Sequence, residues 1–201
     1  MRSIYILEKI GSVSAVVKSS IAEFLENATA FGCVGSRDDL DDLRIKTCTL
    51  IGMYLAKAGK TVHSGNAIGT DQVYAIGANA VDPASVYLYL TGTDHNPEAV
   101  VLGNKLVYES DHPEWASVAE KYHGGYRKLS PFVQKLFNRN AGIVTNSQVL
   151  IAMANRSKKW GGGTGHDIRI ANGLGIPVID LNDDEQSRDI ITHILSSGLI
   201  V

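Results

Sequence analysis

The chain has 201 residues, 44 % of them hydrophobic and 20 % charged, which suits one folded domain around a single core and excludes a disordered segment. Its apolar runs stop short of a membrane span, and its N-terminal run is interrupted by Glu8 and Lys9, which makes no convincing signal peptide. The formal net charge of −2 hides an asymmetry. Residues 121–160 hold Lys121, Arg127, Lys128, Lys135, Arg139, Arg156, Lys158 and Lys159 and no acid, leaving eleven basic against twenty-one acidic residues elsewhere. Such a stretch is either an anion-binding face or a solvated helix face plus a loop.

Along the chain, Ser12 to Asn27 has roughly helical spacing, with Ile21, Phe24 and Leu25 as buried positions; residues 1–29 read as an N-terminal helical extension of one domain spanning 1–201. Ala30 to Val34 is an apolar run ending in Gly35-Ser36, the pattern of a buried strand entering a turn. Asp38 to Asp42 supplies acidic N-terminal residues for a helix to about Ala58, stopped at Gly59, with Leu43, Thr47, Leu50, Ile51, Tyr54 and Leu55 at helical spacing. Thr61-Val62-His63 is a second strand, and a helix to about Val81 follows the Ser64–Asp71 loop. Val86 to Leu90 alternates β-branched, aromatic and aliphatic residues and is a third strand, while Thr91 to His112 reads as an irregular excursion.

Helices are expected over 113–122 and 130–141, the second with Ser130 as N-cap and Pro131 at its first position. Gln148 to Ala154 is a fourth strand, leading through a basic connection into Gly161–Gly165. A helix from about Gly165 to Asn172 ends at Gly173 and Gly175, Ile176 to Leu181 is a fifth strand, and Asp184 to Ser196 a final helix. Alternating strands and helices imply an α/β, Rossmann-like, doubly wound and mostly parallel sheet of about five strands. Cys33 and Cys48 form no disulfide or metal pattern and read as reduced core residues of a cytoplasmic protein; the six histidines show no metal-ligand spacing.

Three polar-glycine loops each follow an apolar run, where backbone N–H groups and a helix N-terminus can meet an anion. Ser64-Gly65-x-Ala67-x-Gly69-x-Asp71 is the most specific, with Thr70 or Asp71 able to cap the next helix and Asp71 equally able to accept from ribose hydroxyls. Gly35-Ser36-Arg37 offers a hydroxyl, amides and a forked cation, or else a surface turn with a solvated arginine. Gly161-Gly162-Gly163-Thr164-Gly165 has the composition of a phosphate nest, but lacks a P-loop lysine and does not form a dinucleotide fingerprint after the first strand. His166, Asp167 and Arg169 follow it, on either the ligand side or an exposed helix face. Asn138-Arg139-Asn140 reads either as a helix end with a solvated arginine or as a polar triplet holding an anion or base.

In this order, Val34-Gly35-Ser36-Arg37, the Ser64–Asp71 motif, Phe137-Asn138-Arg139-Asn140 and the late Gly-Gly-Thr-Gly before Ile176-Pro177-Val178 resemble the SLOG superfamily, over roughly residues 30 to 181. That superfamily includes the DprA/Smf DNA-processing proteins and the LOG-type phosphoribohydrolases, and standalone DprA-like proteins of bacteriophages look most similar, with Ile168 to Ala171 after the late glycines. The resemblance implies a nucleotide-like small molecule or single-stranded DNA as ligand and a homodimer or higher homo-oligomer; no cofactor, metal or membrane partner is expected from the sequence. The implied ligand-binding residues are Gly35, Ser36, Arg37, Ser64, Gly65, Ala67, Gly69, Thr70, Asp71, Arg139, Asn140, Gly162, Gly163, Thr164 and Gly165. LOG enzymes carry a catalytic glutamate on the helix after the late glycines, where this chain has none, so N-glycosidic hydrolysis would fall to Asp71 and Asp167. For DNA binding, Tyr122, Tyr126 and Trp160 are the candidate stacking aromatics beside Lys128 and Arg139.

Overall fold

A computed structural model describes residues 21–158 and 161–200. Among these, six strands form one sheet in the order β4-β3-β2-β1-β5-β6, every pair parallel. The strands are β1 (Ala30–Gly35), β2 (Thr61–Ser64), β3 (Val86–Leu90), β4 (Lys105–Tyr108), β5 (Val149–Met153) and β6 (Val178–Asp180). The order reverses between β1 and β5. A doubly wound sheet opens a crevice at its strand C-termini at such a point.

Because side chains alternate across a strand, each central strand feeds two cores. Phe31, Cys33, Val149, Ile151 and Met153 face one layer, with helix α1 (residues 21–27), α2 (Asp42–Lys57), α3 (Thr70–Asn79) and α7 (Asp184–Ser196). Val34, Leu150 and Ala152 face the other, with α4 (Trp115–Tyr122), α5 (Pro131–Thr145) and α6 (Gly162–Leu174). All five residues of β5 are buried, which explains its uninterrupted apolar run. Helices α2 and α3 meet backbone to backbone: a Cβ on Gly52 would lie 2.2 Å from the Tyr74 carbonyl oxygen, and one on Gly77 2.1 Å from that of Thr49.

Local signals fix the helix starts. Asp41 accepts from Arg44 N at 2.8 Å at the head of α2, Ser130 accepts from Val133 N at 3.4 Å at α5, and Asp183 accepts from Glu185 and Gln186 N at α7. Both cysteines are free and buried. Ile21 and Leu25 join the first core and Phe24 is half-buried; the rest of the expected 12–27 helix, with the remainder of the extension up to residue 20, lies outside the described residues.

Several expectations are corrected. The 91–112 excursion contains β4, a sixth strand whose Lys105 and Leu106 are exposed at the sheet edge, so it lacks the apolar run that marks its neighbours. Leu43, the first of the α2 positions at helical spacing, is 71 % exposed. Helix α6 begins at Gly162, so the late glycines form its first turn instead of a preceding loop. Gly173 lies inside α6 because the Tyr122 ring packs on it, and the left-handed Gly175 (φ 72°) closes the helix. Helix α5 runs on to Thr145, so Asn138–Asn140 occupy its middle and not its end.

Candidate functional site

The loops after β1 and β2 are stapled together above the sheet. Gly35 N donates to Asp71 Oδ1 at 3.0 Å, and Thr70 N and Oγ1 both donate to the Ser36 carbonyl, at 3.1 and 2.7 Å. Ser64 Oγ donates to the Asp71 carbonyl at 3.0 Å, and Gly69, at φ 107°, passes so close to the Arg37 backbone that a Cβ there would approach its Cα to 2.7 Å. Ser64, Gly69 and Thr70 are therefore committed to holding the loops in register. Asp71 is not the N-cap of α3. That position is Gly69, which makes no side-chain cap bond, and the Asp71 carboxylate reaches across to β1.

Under these loops lies a buried ionic floor. Arg139 is 4 % exposed and Asp71 5 %, with Arg139 Nη1 and Asp71 Oδ2 3.6 Å apart. A Cβ on Gly65 would fall 1.3 Å from Arg139 Nη1, so glycine there is what lets the guanidinium lie across the loop. Asp167, 2 % exposed, completes the floor and is hydrogen-bonded by the Asn140 side chain. Burial pushes the Asp71 carboxyl up from the usual range, opposed by the Arg139 charge and by N–H donors of Gly35, Ala67 and Gly65. Asp167 rises well above that range through burial and the neighbouring Asp71 charge. Asn138 turns the other way, donating to Glu109 Oε1 at 2.8 Å and accepting from Tyr126 OH at 2.5 Å.

A cavity of about 480 Å³ opens over the floor at the β1–β5 switch point. Gly35, Ser36, Arg37, Ala67, Asp71, Arg139, Asn140, Gly162, Gly163, Thr164 and Asp167 line it, so the three glycine segments do converge. Ser64, Gly65, Gly69, Thr70 and Gly165 stand behind its wall and do not line it. Gly161, the N-cap of α6, and Gly162 to Thr164 of its first turn line the cavity, which brings the positive end of the helix dipole to it.

The opposite wall is apolar: Phe132, Val133, Leu136 and Phe137 from α5, with Phe132 64 % exposed at the rim. Arg37, Ala67, Phe132 and Leu136 also border an adjoining cavity of about 310 Å³, completed by Ile68, Thr91, Asp94, His95 and Asn96. Sequence reasoning missed this wall. The i, i+4 pairs Phe132/Leu136 and Val133/Phe137 were its signal, but they are equally what a core-facing helix shows. A separate groove of about 640 Å³ between α2 and α7 contains none of the glycine segments.

Other readings of the basic segment change in three dimensions. Arg156 pairs with Asp39 at 3.8 Å and Asp41 at 3.3 Å, Arg127 pairs with Glu120, and Arg139 is buried, so these three arginines do not join one exposed cationic face. Tyr126 is buried and offers no stacking face, Tyr122 is half-buried against Gly173, and Trp160 lies outside the described residues. His166 faces neither ligand nor solvent. It is buried, its Nε2 donating to the Ala119 carbonyl at 3.0 Å and its ring edge-on to Phe137. Arg169 Nε reaches the Tyr122 carbonyl at 3.3 Å. Among the described residues no cluster of His, Cys, Asp or Glu has the arrangement of a metal site, and no helix is long and apolar enough to cross a membrane.

Fold and site together define a Rossmann-like, doubly wound parallel domain with a polar crevice at its topological switch point. No protein-family model matches the sequence, and no curated protein is significantly similar to it. Solved structures match in fold. DNA processing protein A from Helicobacter pylori, described for its single-stranded DNA binding mode, superposes with a TM-score of 0.56 at 15 % identity, over 86 % of this chain and 83 % of that one. DNA processing protein A (DprA) from Streptococcus pneumoniae gives 0.53 at 18 % identity, over 87 % of this chain but only 58 % of that one. The molybdenum cofactor binding protein of Rippkaea orientalis gives 0.50 at 20 % identity, over 85 % of each.

Proposed function

We propose that the chain binds single-stranded DNA in a DprA-like manner, seating a phosphate at the N-terminus of α6 and an adjacent base against Phe132. The observation behind this reading is the cavity itself. One wall is helix amides and Arg37, and the facing wall is an exposed aromatic with aliphatic neighbours. A nucleotide unit has the same two-sided chemistry, an anion joined to a flat π-face. The adjoining cavity gives the strand a continuation beyond Phe132. The fold shared with two DNA processing proteins supports the choice of a polymer over a free nucleotide. Hydrolysis is not part of this proposal; of the two carboxyls expected to carry it, Asp71 commits its carboxylate to Gly35 N and Arg139.

The test is a fluorescence-anisotropy titration of labelled oligothymidylate. Phe132→Ala should weaken binding by about 1–3 kcal/mol, roughly 5- to 150-fold, the range for one base–aromatic stack. Arg37→Ala should reduce the slope of log affinity against log salt by about 0.7, one single-strand phosphate contact. No binding at tens of micromolar protein in low salt, or full affinity in both variants, would overturn the reading.

A further inference from the structure

We propose that Asp167 holds a proton in the ligand-free protein and, as a neutral carboxylic acid, donates a hydrogen bond to a non-bridging oxygen of the phosphate seated at the N-terminus of α6. This rests on the binding site proposed above and adds that binding is linked to one proton. The geometry distinguishes the two floor carboxyls. Asp71 only accepts: Oδ1 takes the Gly35 N–H and Oδ2 faces the Arg139 guanidinium. Asp167 sits at the cavity wall, 2 % exposed, and its Oδ1 has no hydrogen-bond partner among the described residues. Two carboxyls thus share one arginine. Asp71⁻ and Arg139⁺ cancel, so a second negative charge at Asp167 would be buried, uncompensated and beside an incoming anion. The site resolves this with the proton on Asp167, whose Oδ1 receives no donor although the Asn140 side chain meets its carboxyl.

The surrounding charges agree. Asp71 approaches from α3, Arg139 and Asn140 from α5, and Arg169 from α6, Asp167's own helix; burial and Asp71 outweigh the cations and hold the Asp167 carboxyl well above the ordinary carboxylate range. Arg37 and Asp38 also line the cavity. His166, next in sequence, is pushed down to about 4 by burial and stays neutral in the same range.

The sign of the linkage follows. The protonated form binds, so affinity is full below the Asp167 pKa and falls as pH rises through it, by about tenfold per pH unit at most. Asp167→Asn keeps a neutral donor of the same shape, and should bind as wild type does at low pH, within about threefold, and stay flat as pH rises. The experiment is the anisotropy titration of 3′-labelled oligothymidylate between about pH 6 and about pH 9, for wild type and Asp167→Asn, with thermal melts confirming that both are folded. Probes with and without a 5′-phosphate separate a terminal phosphate, where only the first shows the pH effect, from an internal phosphodiester, where both do. A ligand-free readout accompanies it: carbon NMR of aspartate-labelled protein should show one protonated carboxyl at neutral pH that disappears in Asp167→Asn. Wild-type binding that is as flat with pH as the variant, or loss of binding in a folded Asp167→Asn, overturns the proton linkage while leaving the DNA site standing. Absence of binding to either probe at every pH overturns the site reading and this one together.

Discussion

Gly65→Ala is a one-methyl perturbation whose consequence the coordinates specify. The added Cβ would lie 1.3 Å from Arg139 Nη1, 2.5 Å from its Cζ and 2.7 Å from Asp71 Oδ2. The Arg139 side chain must leave, and its buried contact with Asp71 goes with it. Breaking a buried ion pair costs about 3–5 kcal/mol. Here the guanidinium can swing into the 480 Å³ cavity and regain hydration, which places the expected loss near the bottom of that range, about 3 kcal/mol. In a domain of this size that lowers the melting temperature by about 6–12 °C. Urea denaturation of Gly65→Ala, Arg139→Ala and the double variant isolates the cause. With the arginine removed, the extra methyl keeps of these contacts only the Asp71 carboxylate oxygen, at 2.7 Å, and the cycle should give a coupling energy of at least about 1.5 kcal/mol. Additive losses would show that Gly65 matters for some reason other than the guanidinium lying across it.

Arg44 is a second buried cation, and its role is purely structural. It donates to the Asp39 carbonyl at 2.7 Å, to Asp39 Oδ2 at 2.8 Å, to the Ala154 carbonyl at 3.1 Å and to Asn182 Oδ1. Arg44→Met should therefore destabilise by about 2–4 kcal/mol in chemical denaturation by leaving these acceptors unpaired, whereas a near-neutral result would mean that the loops after β1, β5 and β6 do not depend on it. Burial lowers His166 to about 4, so the unfolded chain takes up a proton near pH 6.5 that the folded protein refuses until about pH 4. Wild type should accordingly lose up to about 3 kcal/mol relative to His166→Gln as pH falls through that window, measured by urea melts at each pH; parallel profiles would refute it. Phe132→Ala, being exposed, should alter stability by less than about 0.5 kcal/mol while weakening DNA binding, and a large thermal shift would recast Phe132 as a core residue.

Five strands were legible because each is a short β-prone run closed by a turn signal, and burial on both faces writes that signal most plainly in the apolar β5. β4 was not legible, because an edge strand with exposed Lys105 and Leu106 carries no such run. The glycine segments could be read as strand-end turns, and topology then dictates their meeting. What no local pattern encodes is partnership across the fold. Arg139 meets Asp71 only because α5 and α3 reach the same crevice, and Arg156 turns toward Asp39 and Asp41 instead of joining a basic face. Phe132 escaped for a related reason, since an amphipathic stripe does not say which of its residues borders a cavity and which a core.

The most direct measurement is a crystal structure grown with a short oligothymidylate. A phosphate within hydrogen-bond distance of Arg37 and the amides of residues 162–164, with a thymine against the Phe132 ring, is the predicted result. A strand lying instead along the α2–α7 groove, with the switch-point cavity untouched, would contradict it.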